Sequence, residues 1–579
     1  MTIFGANEIA DREPDGRRLG WTRLIIGLIQ GLALYLLYLS AEAKTWPATV
    51  EMLFVPVVLV MLLLPVTALG GVGRFRPRTL AIWLAVATAI IALMGWWAAR
   101  GELADGAAMS TWFGALIFPA GVAILFILHH LLLPADLTRR RIAPYPVYFD
   151  TAWKAGVQLA LSVAFTGAFW LLLLLGAGLF NMIGLDFLRR LIEQPWFSIP
   201  VTTLAFAAAI HLTDVKDGLI RGVRTVVLML LSWLLPVMAV LTAGFILALP
   251  FAGVGRLWDE GYGTSLMLAA AAALIILINA AYQDGEPDGR PHVALQWTAR
   301  LGGVLLAPLM GLALWGMGLR IGQHGLTPER IIALTCVLLG VVYAAGYAFA
   351  AVRPGPWMRP LERTNVIAAV ATVFAILALF TPIADPTRLS VADQMRRLET
   401  GRVSAEDFDY AFLRFDAGRS GLQALDRLAA ADDPEIARRA GEARDVADRY
   451  TLDQIAPRVD IEVLPGSPAL PEDFFDDQAP GDQRANCRSE GDCLAAARDL
   501  DGDGATEWLV ANAYRLAVYQ QIEDSWREIG AYEVNACRPR QQDARDLLRG
   551  GLALAPSPLP DLTVDGVNIP LTRRADCGA

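Results

Sequence analysis

The residues with the clearest chemical pattern lie near the carboxyl end, in the stretch ARDLDGDGATEW at positions 497–508. Three aspartates at alternate positions of a glycine-containing turn supply the hard oxygen ligands that Ca²⁺ prefers. A following main-chain carbonyl adds an oxygen, and a nearby glutamate takes the place of the bidentate residue that an EF-hand carries further on. A structural Ca²⁺ site is therefore predicted, with a metal-free aspartate-rich turn as the alternative. The predicted ligands are Asp499, Asp501, Asp503, Ala505 and Glu507.

Four of the five cysteines also lie in this carboxyl-terminal part: Cys487, Cys493, Cys537 and Cys577. An even number in one small domain predicts two disulfides, which form in an oxidising compartment such as the periplasm. Zinc is the alternative, but CRSEGDC has the wrong spacing for a zinc pair and no histidine follows residue 384. Of the three pairings that four cysteines allow, Cys487–Cys493 with Cys537–Cys577 is preferred.

The rest of the chain has the composition of a membrane protein. Hydrophobic residues make up 55% of the 579 positions, charged residues 18%, and the mean hydropathy is +0.43. A bilayer core about 30 Å thick needs roughly 20 apolar residues in helix. Eleven stretches meet this requirement, at 22–40, 52–70, 79–98, 112–133, 155–179, 196–212, 225–250, 264–282, 301–319, 331–350 and 365–383. The amphipathic stretch 185–197 is predicted to lie on the outer face of the bilayer.

The basic residues predict the orientation of these spans. The amino-terminal tail and every second connection hold 19 Lys and Arg, whereas the alternate connections hold 7. The positive-inside rule therefore places the amino terminus in the cytoplasm of a bacterial cell. After eleven crossings the chain emerges in the periplasm, where residues 384–579 carry 37 acids against 23 bases. This distribution does not favour a nucleic-acid partner; the predicted partner is the lipid bilayer of the inner membrane.

The predicted fold is a polytopic α-helical membrane protein of about eleven spans with a carboxyl-terminal α+β soluble domain. Residues 1–383 form the transmembrane domain, 384–456 a helical periplasmic segment, and 457–579 a small β-rich periplasmic domain. A capping pattern predicts a helix starting at Ser404, and another predicts one starting at Pro434. Alternating segments predict strands at EWLVAN, RLAVYQQI and SWREIGAY, and LTVDGVNIPL predicts a hairpin.

Polar residues in the spans are few. His129 and His130 are expected at the membrane interface, with a metal or proton role as the alternative. His211 and Asp214 stand at another span exit, and Asn279 lies near the end of a span. The sequence contains no P-loop, GxSxG or HExxH, and no GxGxxG opens a helix after a strand. Enzymatic activity is therefore left undecided and not favoured.

Three segments resemble one family of bacterial inner-membrane proteins: SWLLPVMAVL at 232–241, NAAYQDG at 279–285 and DYAFLRFDAGRSGLQAL at 409–425. This is the domain-of-unknown-function 4153 family, and the likeness is clearest from about the fifth span to the helical part after the last. The family implies a polytopic inner-membrane protein with no assigned activity or cofactor. Its most specific motif residues are Tyr410, Arg414, Asp416, Gly418 and Arg419. The motif is expected to dock on the outer ends of the spans, with a substrate-facing role for Arg414 or Arg419 as the alternative.

Three functions remain open. The first is envelope transport or assembly involving a lipid or lipid-linked molecule. The second is a membrane-embedded transferase acting on the periplasmic face, and the third is a non-catalytic scaffold or sensor. A polar cavity between two helix bundles favours transport, clustered acids or histidines in a lipid-sized groove favour an enzyme, and a dry bundle favours a scaffold.

Overall fold

A computed structural model describes most of the chain, in two compact units, residues 1–441 and 442–579. The described residues are 16–101, 111–215, 217–253, 263–286, 290–446, 461–471, 473–474, 487, 493–500, 502–513, 515–522, 525–533, 543–549, 562–564 and 567–569. Each unit is presented by itself. The predicted boundaries at 383/384 and 456/457 stay predictions.

Eleven helices of the first unit are long and apolar enough to cross a membrane, among the residues that the structure describes. They are α1 (Gly16–Glu42), α2 (Glu51–Gly71), α3 (Pro77–Arg100), α4 (Thr111–Thr138), α5 (Tyr145–Met182), α7 (Pro195–Val215), α8 (Asp217–Ala252), α9 (Gly263–Tyr282), α10 (Val293–His324), α11 (Pro328–Val352) and α12 (Pro360–Leu379). The predicted class and span count are confirmed. At 1.5 Å per residue even the shortest, of 20 residues, reaches the roughly 30 Å of a bilayer core.

Several helices differ from their predicted extent, and α8 and α10 each begin eight residues before the predicted span. Helix α5 has 38 residues and begins ten residues before the predicted span. In the amphipathic stretch 185–197, only α6 (Phe187–Ile192) is a separate helix, because the chain turns after it and Trp196 already belongs to α7. Proline opens α7, as it does several of these helices, because its fixed φ suits the first helical turn.

Contacts between helix termini define two ends of this unit. At one end α1 begins beside the termination of α7, where Arg23 pairs with Asp214, and α3 begins beside the termination of α4, where Arg76 pairs with Asp136. We call this the basic end, because it holds the connections richest in arginine. At the opposite end, Trp97 near the end of α3 donates a hydrogen bond to Asp385.

Among the described residues, small hydrophobic cores join α2 to α7 and α5 to α8 and α9, and two large cores hold most of the other spans together. The first large core joins α2, α3 and α4, and the second joins α8, α9, α10 and α11. Helix α12 contributes to both, with Leu361 in the second core and Val373 in the first. By contrast, Leu171, Leu172 and Leu175 on α5 are more than 60% exposed, as expected for side chains that face hydrocarbon.

The helical segment after the last span packs on the opposite end. Helix α13 (Pro386–Glu399) binds the α10–α11 connection, where the Asp393 carboxylate accepts a hydrogen bond from the Leu326 amide. A π-helical turn (Phe412–Asp416), α14 (Gly418–Ala429) and α15 (Pro434–Asp445) follow. The start at Pro434 is confirmed, with Asp433 accepting hydrogen bonds from the first turn.

The helix start predicted at Ser404 is wrong. Its hydroxyl does accept a hydrogen bond from the Asp407 amide, but this closes a single turn. Helical structure begins at Tyr410, where Asp409 accepts a hydrogen bond from the Phe412 amide. Phe408 and Tyr410 are both buried. Residues two apart cannot share one face of a helix, so a helix running from Ser404 would have exposed one of them.

The second unit contains a five-stranded sheet in the order β1 (Glu462–Val463), β2 (Leu494–Arg498), β3 (Glu507–Ala511), β4 (Arg515–Ile522) and β5 (Ser525–Glu533). Strands β1 and β2 are parallel and the others antiparallel. Alternate residues build two cores: Phe474 packs among Trp508, Tyr519 and Trp526 on one face, and α16 (Ala544–Arg549) covers the other. The three predicted strands are confirmed.

The unit also contains the predicted disulfide and hairpin. Cys487 and Cys493 are bonded, and both sulfurs lie in the core on the Phe474 face. Strands β6 (Leu562–Val564) and β7 (Val567–Ile569) pair antiparallel as a hairpin. The other predicted pair, Cys537 and Cys577, lies outside the described residues.

Candidate functional site

Four polar side chains meet inside the first unit and form what we call the tyrosine–asparagine cluster: Tyr145, Asn279, Tyr347 and Asn365. The Asn365 amide donates to the Tyr145 hydroxyl at 2.8 Å and to the Asn279 side-chain oxygen at 2.7 Å. Its oxygen accepts a hydrogen bond from the Tyr347 hydroxyl at 2.7 Å. The Asn279 amide in turn donates to the Tyr347 hydroxyl at 2.6 Å. Each residue bonds at least two of the others.

Helix connectivity brings these residues together. Tyr145 opens α5 and Asn365 lies in the second turn of α12, whereas Asn279 and Tyr347 lie near the ends of α9 and α11. Two helices therefore begin and two finish at the basic end, where four side chains distant in sequence converge. Tyr347 has no solvent exposure, so a full set of hydrogen bonds is needed to offset the burial of its hydroxyl.

The cluster borders a cavity of about 230 Å³. A second cavity of about 620 Å³ shares Phe126, Ala152 and Trp153 with the first, so the two adjoin. We call the pair the groove. It lies between α4 of the first core and α8, α9 and α12 of the second, with α5 along its length. The larger cavity alone falls within the ~300–1,000 Å³ typical of ligand sites.

The groove is apolar along most of its wall and polar at one end. Aromatic side chains Tyr148, Phe149 and Trp153 line it, and the second cavity is surrounded by aliphatic and aromatic residues. Polar atoms come from the tyrosine–asparagine cluster and from His130. No acid is among the described residues that line either cavity. Such a surface suits an elongated apolar molecule with an uncharged, hydrogen-bonding head.

The two histidines are buried within the first unit, and their predicted position at the membrane interface stays a prediction. His129 is 5% exposed and its Nδ1 accepts a hydrogen bond from the Trp83 indole N–H. His130 lines the groove, and its Nδ1 lies 2.8 Å from the Phe126 carbonyl oxygen. That contact requires the proton on Nδ1, so Nε2 carries the lone pair in the neutral ring. Nε2 is buried and accepts no hydrogen bond from the residues that the structure describes, which leaves an acceptor for a ligand donor.

A second polar group at the basic end cross-links the helices around α1. Arg23 is 1% exposed and its Nη2 lies 2.6 Å from the Asp214 carboxylate, while Arg74 approaches the other carboxylate oxygen at 2.5 Å. Arg74 also donates to Gln158 on α5. Asp214, predicted at a span exit, thus joins α1, α7 and the α2–α3 connection. This group builds the fold; it borders neither cavity of the groove.

The predicted calcium loop connects β2 to β3. Both Asp499 oxygens accept hydrogen bonds from glycine amides of the loop, at 2.7 and 3.2 Å. Glu507 is 1% exposed and accepts a hydrogen bond from the Leu500 amide, and Asp503 accepts one from Ala505. Among the described residues no group of three or more potential metal ligands is assembled, and Asp501 lies outside them. The hard-oxygen donors suit Ca²⁺, and the calcium site stays a prediction.

The family motif connects the π-helical turn to the end of α3. The Arg419 amide donates a hydrogen bond to the Gly101 carbonyl. Gly418 has φ +49°, and a Cβ there would lie 2.2 Å from the same oxygen. Arg414 stacks over the neighbouring Phe415 ring, and Asp416 is exposed. Tyr410 is buried, which raises the pKa of its hydroxyl. The expected docking on the span ends is therefore present.

A family model described as Domain of unknown function (DUF4153) matches residues 54–428. The chain belongs to this family. The match begins in α2, earlier than the resemblance in the sequence indicated, and runs through α14. It thus covers the whole tyrosine–asparagine cluster, the groove and the motif at 409–425. Neither the curated proteins nor the solved structures contain a match to the chain.

The sequence identified part of this site. The sequence indicates Asn279 as a polar residue at a span end, but it does not indicate that Tyr145, Tyr347 or Asn365 belongs to a site. The sequence feature that could have indicated the site is an asparagine near one terminus of each of two apolar helices, NAAY in α9 and RTNV in α12. Nothing local to either helix indicates that the two residues meet.

Proposed function

We propose that this integral membrane protein holds a lipid or lipid-linked molecule in the groove as part of envelope transport or assembly. The observation that carries the proposal is the combination of a long apolar cavity with one uncharged polar end. The apolar wall removes an acyl or prenyl chain from water or from neighbouring lipid, and the oxygens of the cluster can accept hydrogen bonds that orient the head. His130 offers its Nε2 acceptor to a hydroxyl or amide of that head.

The placement of the groove supports binding or transfer of a whole molecule more than chemistry upon it. It lies between α4 on one side and α8 and α9 on the other, and clefts between the helices of a bundle are common sites for binding small molecules. Group transfer needs an acid, base or metal in contact with the reacting atoms. The described lining offers one histidine and no carboxylate for that purpose.

We place the protein in a bacterial inner membrane, with the basic end in the cytoplasm and residues 442–579 in the periplasm. The arginine-rich connections support this orientation through the positive-inside rule. The Cys487–Cys493 disulfide supports it independently, because such bonds persist in oxidising compartments. Fusion of alkaline phosphatase to residue 579 is expected to give an active reporter, and a GFP fusion a dark one. The reverse pattern would overturn the orientation.

The groove is tested by filling it. Ala152 lines both cavities, so Ala152→Phe is expected to displace the bound molecule. Ala168→Phe on the same helix is the matched control, since Ala168 is exposed and borders neither cavity. Wild type and both variants are extracted into polymer nanodiscs, and the retained lipids are quantified by mass spectrometry. A lipid enriched in wild type and the control but lost from Ala152→Phe is expected. Equal retention in all three would refute the proposal.

The biological role is tested in cells. A deletion strain complemented with Ala152→Phe is expected to show the same change in envelope lipids or exported glycans as the uncomplemented deletion. Complementation with Ala168→Phe is expected to restore the wild-type profile. An unchanged profile in the deletion strain itself would exclude a role in transport or assembly.

We further propose that the loop at 499–507 binds a structural Ca²⁺. Asp499, Asp503 and Glu507 would hold the ion, whose charge would offset the repulsion between carboxylates in a tight turn. Hydrogen exchange of residues 494–511 is measured in the full-length protein with calcium or with chelator. Calcium is expected to slow exchange in wild type but not in Asp503→Asn. Asp473→Asn is the control, because Asp473 lies in the same unit but outside the loop, and calcium is expected to slow exchange in this variant as in wild type. Identical exchange of the wild type in both conditions would contradict the site.

A further inference from the structure

The amide donors at the polar end of the groove are already used within the protein. Both N–H groups of Asn365 are engaged, by the Tyr145 hydroxyl and the Asn279 oxygen. Both N–H groups of Asn279 are engaged as well, by the Ile275 carbonyl and the Tyr347 hydroxyl. The Asn365 oxygen accepts one hydrogen bond, from Tyr347, and an amide oxygen has a second lone pair. The two asparagines therefore meet a ligand as acceptors.

His130 adds an acceptor that has no partner among the described residues. The side chain is 9% exposed and lines the first cavity of the groove. Its Nδ1 carries the proton, because it lies 2.8 Å from the Phe126 carbonyl oxygen. Nε2 presents the lone pair, and it is buried without a hydrogen bond. A buried acceptor without a donor is unfavourable, so a ligand that supplies a donor is stabilised here.

The charge of the lining is a second restriction on the ligand. No lysine, arginine, aspartate or glutamate is among the described residues that line either cavity. Arg224 lies nearby, over the Phe149 ring, but its Nη1 pairs with Asp150 at 2.6 Å. The helix dipoles offset one another, because α5 and α12 begin at this end and α9 and α11 finish there. A charged head group would lose its hydration here without meeting a counter-charge.

The lining also holds donors that carry no charge. They are the hydroxyls of Tyr145 and Tyr148 and the indole N–H of Trp153. The Tyr148 oxygen accepts a hydrogen bond from the Ala143 amide, and its own proton can go to a ligand oxygen. A hydroxyl group fits this set, because it donates one hydrogen bond and accepts others without charge. An ether lacks the donor that Nε2 requires, and a phosphate brings a charge that the lining does not balance.

We propose that the groove binds an uncharged lipid whose head ends in a free hydroxyl and carries no phosphate. The inference rests on the proposed function, since it names the class of lipid for the same groove. His130 determines the specificity, because its Nε2 accepts the hydrogen bond that the hydroxyl donates. The chain that carries the hydroxyl is acyl-like or prenyl, and both present the same head to the cluster.

The test compares probes that differ only in the head group. Oleyl alcohol, its methyl ether and its phosphate form one series, and geranylgeraniol with its methyl ether and phosphate forms the other. Binding of each probe to the full-length protein in detergent is measured by native mass spectrometry. In the series whose chain fits the groove, the alcohol is expected to bind at least about tenfold more tightly than the ether or the phosphate. The series that binds more tightly identifies the chain.

Substitution of His130 tests the source of this preference. His130→Phe removes the acceptor and keeps a ring, so affinity for the alcohol is expected to fall to that for the ether, whose binding stays unchanged. His130→Gln supplies a carbonyl acceptor and is expected to recover part of the preference. His324→Phe is the matched control, because His324 is exposed and lines neither cavity. It is expected to prefer the alcohol as wild type does, and a full preference in His130→Phe would overturn the assignment of His130.

Ala152→Phe separates this inference from the proposed function. If wild type binds alcohol, ether and phosphate equally and Ala152→Phe binds none of them, the groove is a lipid site but the preference for a hydroxyl is wrong. Tighter binding of a phosphate than of its alcohol would overturn the inference in the same way. If no probe binds wild type, or if the alcohol still binds Ala152→Phe, both the inference and the proposed function fall.

Discussion

Replacement of Asn365 by leucine tests whether the tyrosine–asparagine cluster holds α5, α9, α11 and α12 together. The two side chains have the same number of heavy atoms and the same branching at Cγ, so no cavity is created and the change mainly removes hydrogen bonds. Three are lost: those to the Tyr145 hydroxyl, to the Asn279 oxygen and from the Tyr347 hydroxyl. The bond between Asn279 and Tyr347 remains.

The size of the effect follows from the membrane setting. Interhelical hydrogen bonds in membrane proteins contribute on average about 0.6 kcal/mol and at most about 1.7 kcal/mol each. Loss of three is therefore expected to lower the free energy of unfolding by about 2 kcal/mol, with a ceiling of about 5 kcal/mol. The average is low because the helices separated within a membrane find other partners for their polar groups.

The measurement is equilibrium unfolding of the purified protein in mixed micelles of increasing dodecyl sulfate content. A double-mutant cycle with Tyr145→Phe isolates the bond between Asn365 and Tyr145, for which a coupling of about 0.6 kcal/mol is expected. Thr372→Val on the same helix is the control, because its hydroxyl donates to the Ala368 carbonyl of its own helix and belongs to no interhelical bond among the described residues. A loss below about 0.5 kcal/mol for Asn365→Leu, with no coupling to Tyr145→Phe, would refute this account of the cluster.

Three other substitutions test the surrounding structure. Gly421→Ala places a Cβ 2.0 Å from the Leu413 carbonyl oxygen, and the free energy of unfolding measured by thermal unfolding is expected to fall by about 1–3 kcal/mol. Gly441→Ala is the control, because a Cβ there has no atom within 4 Å and is expected to leave the stability unchanged. Asp214→Asn leaves the Arg23 guanidinium buried without its counter-charge. The free energy of unfolding is therefore expected to fall by about 3–5 kcal/mol in the same assay. A variant as stable as wild type would contradict the pairing. Hydrogen bonds from Arg438 and Arg439 lower the pKa of Glu435 to about 2. The stabilisation that the ionised Glu435 gives α15 is therefore complete above the ordinary pKa near 4.5, and it is lost as the pH falls towards 2. Amide exchange of α15 between pH 5 and pH 2 is expected to show this loss in wild type and not in Glu435→Gln.

Much of the fold was predictable because its physical causes are local. A span needs enough consecutive apolar residues to cross a bilayer, and β3, β4 and β5 need alternation, so both features are visible in any short window of sequence. The hydrophobic contrast predicts all eleven spans, although α5, α8 and α10 begin eight to ten residues earlier than the predicted stretches. The same contrast does not predict the start of α5. Its first turns are polar enough to resemble a connection, although the helix already begins at Tyr145.

The candidate site was harder to predict because its cause is not local. An asparagine in a span is common, and its role depends on which other helix ends reach it. Asn279 and Asn365 are separated by 86 residues and two complete helices, and only packing brings them to 2.7 Å. The failed helix start at Ser404 has the same explanation: the local capping signal was correct, but burial of Phe408 and Tyr410 decided where the helix begins.

The pairing of Arg23 with Asp214 also bears on the order in which the protein is assembled. The two residues are 191 positions apart, and a ribosome adding about 5–20 residues per second reaches the aspartate roughly 10–40 s after the arginine. During that interval the first helix has left the ribosome, yet its guanidinium still lacks the carboxylate that offsets its burial. Docking of the first helix is therefore a late step in biogenesis. Nascent chains that stop before the seventh helix are expected to be targets of membrane quality-control proteases.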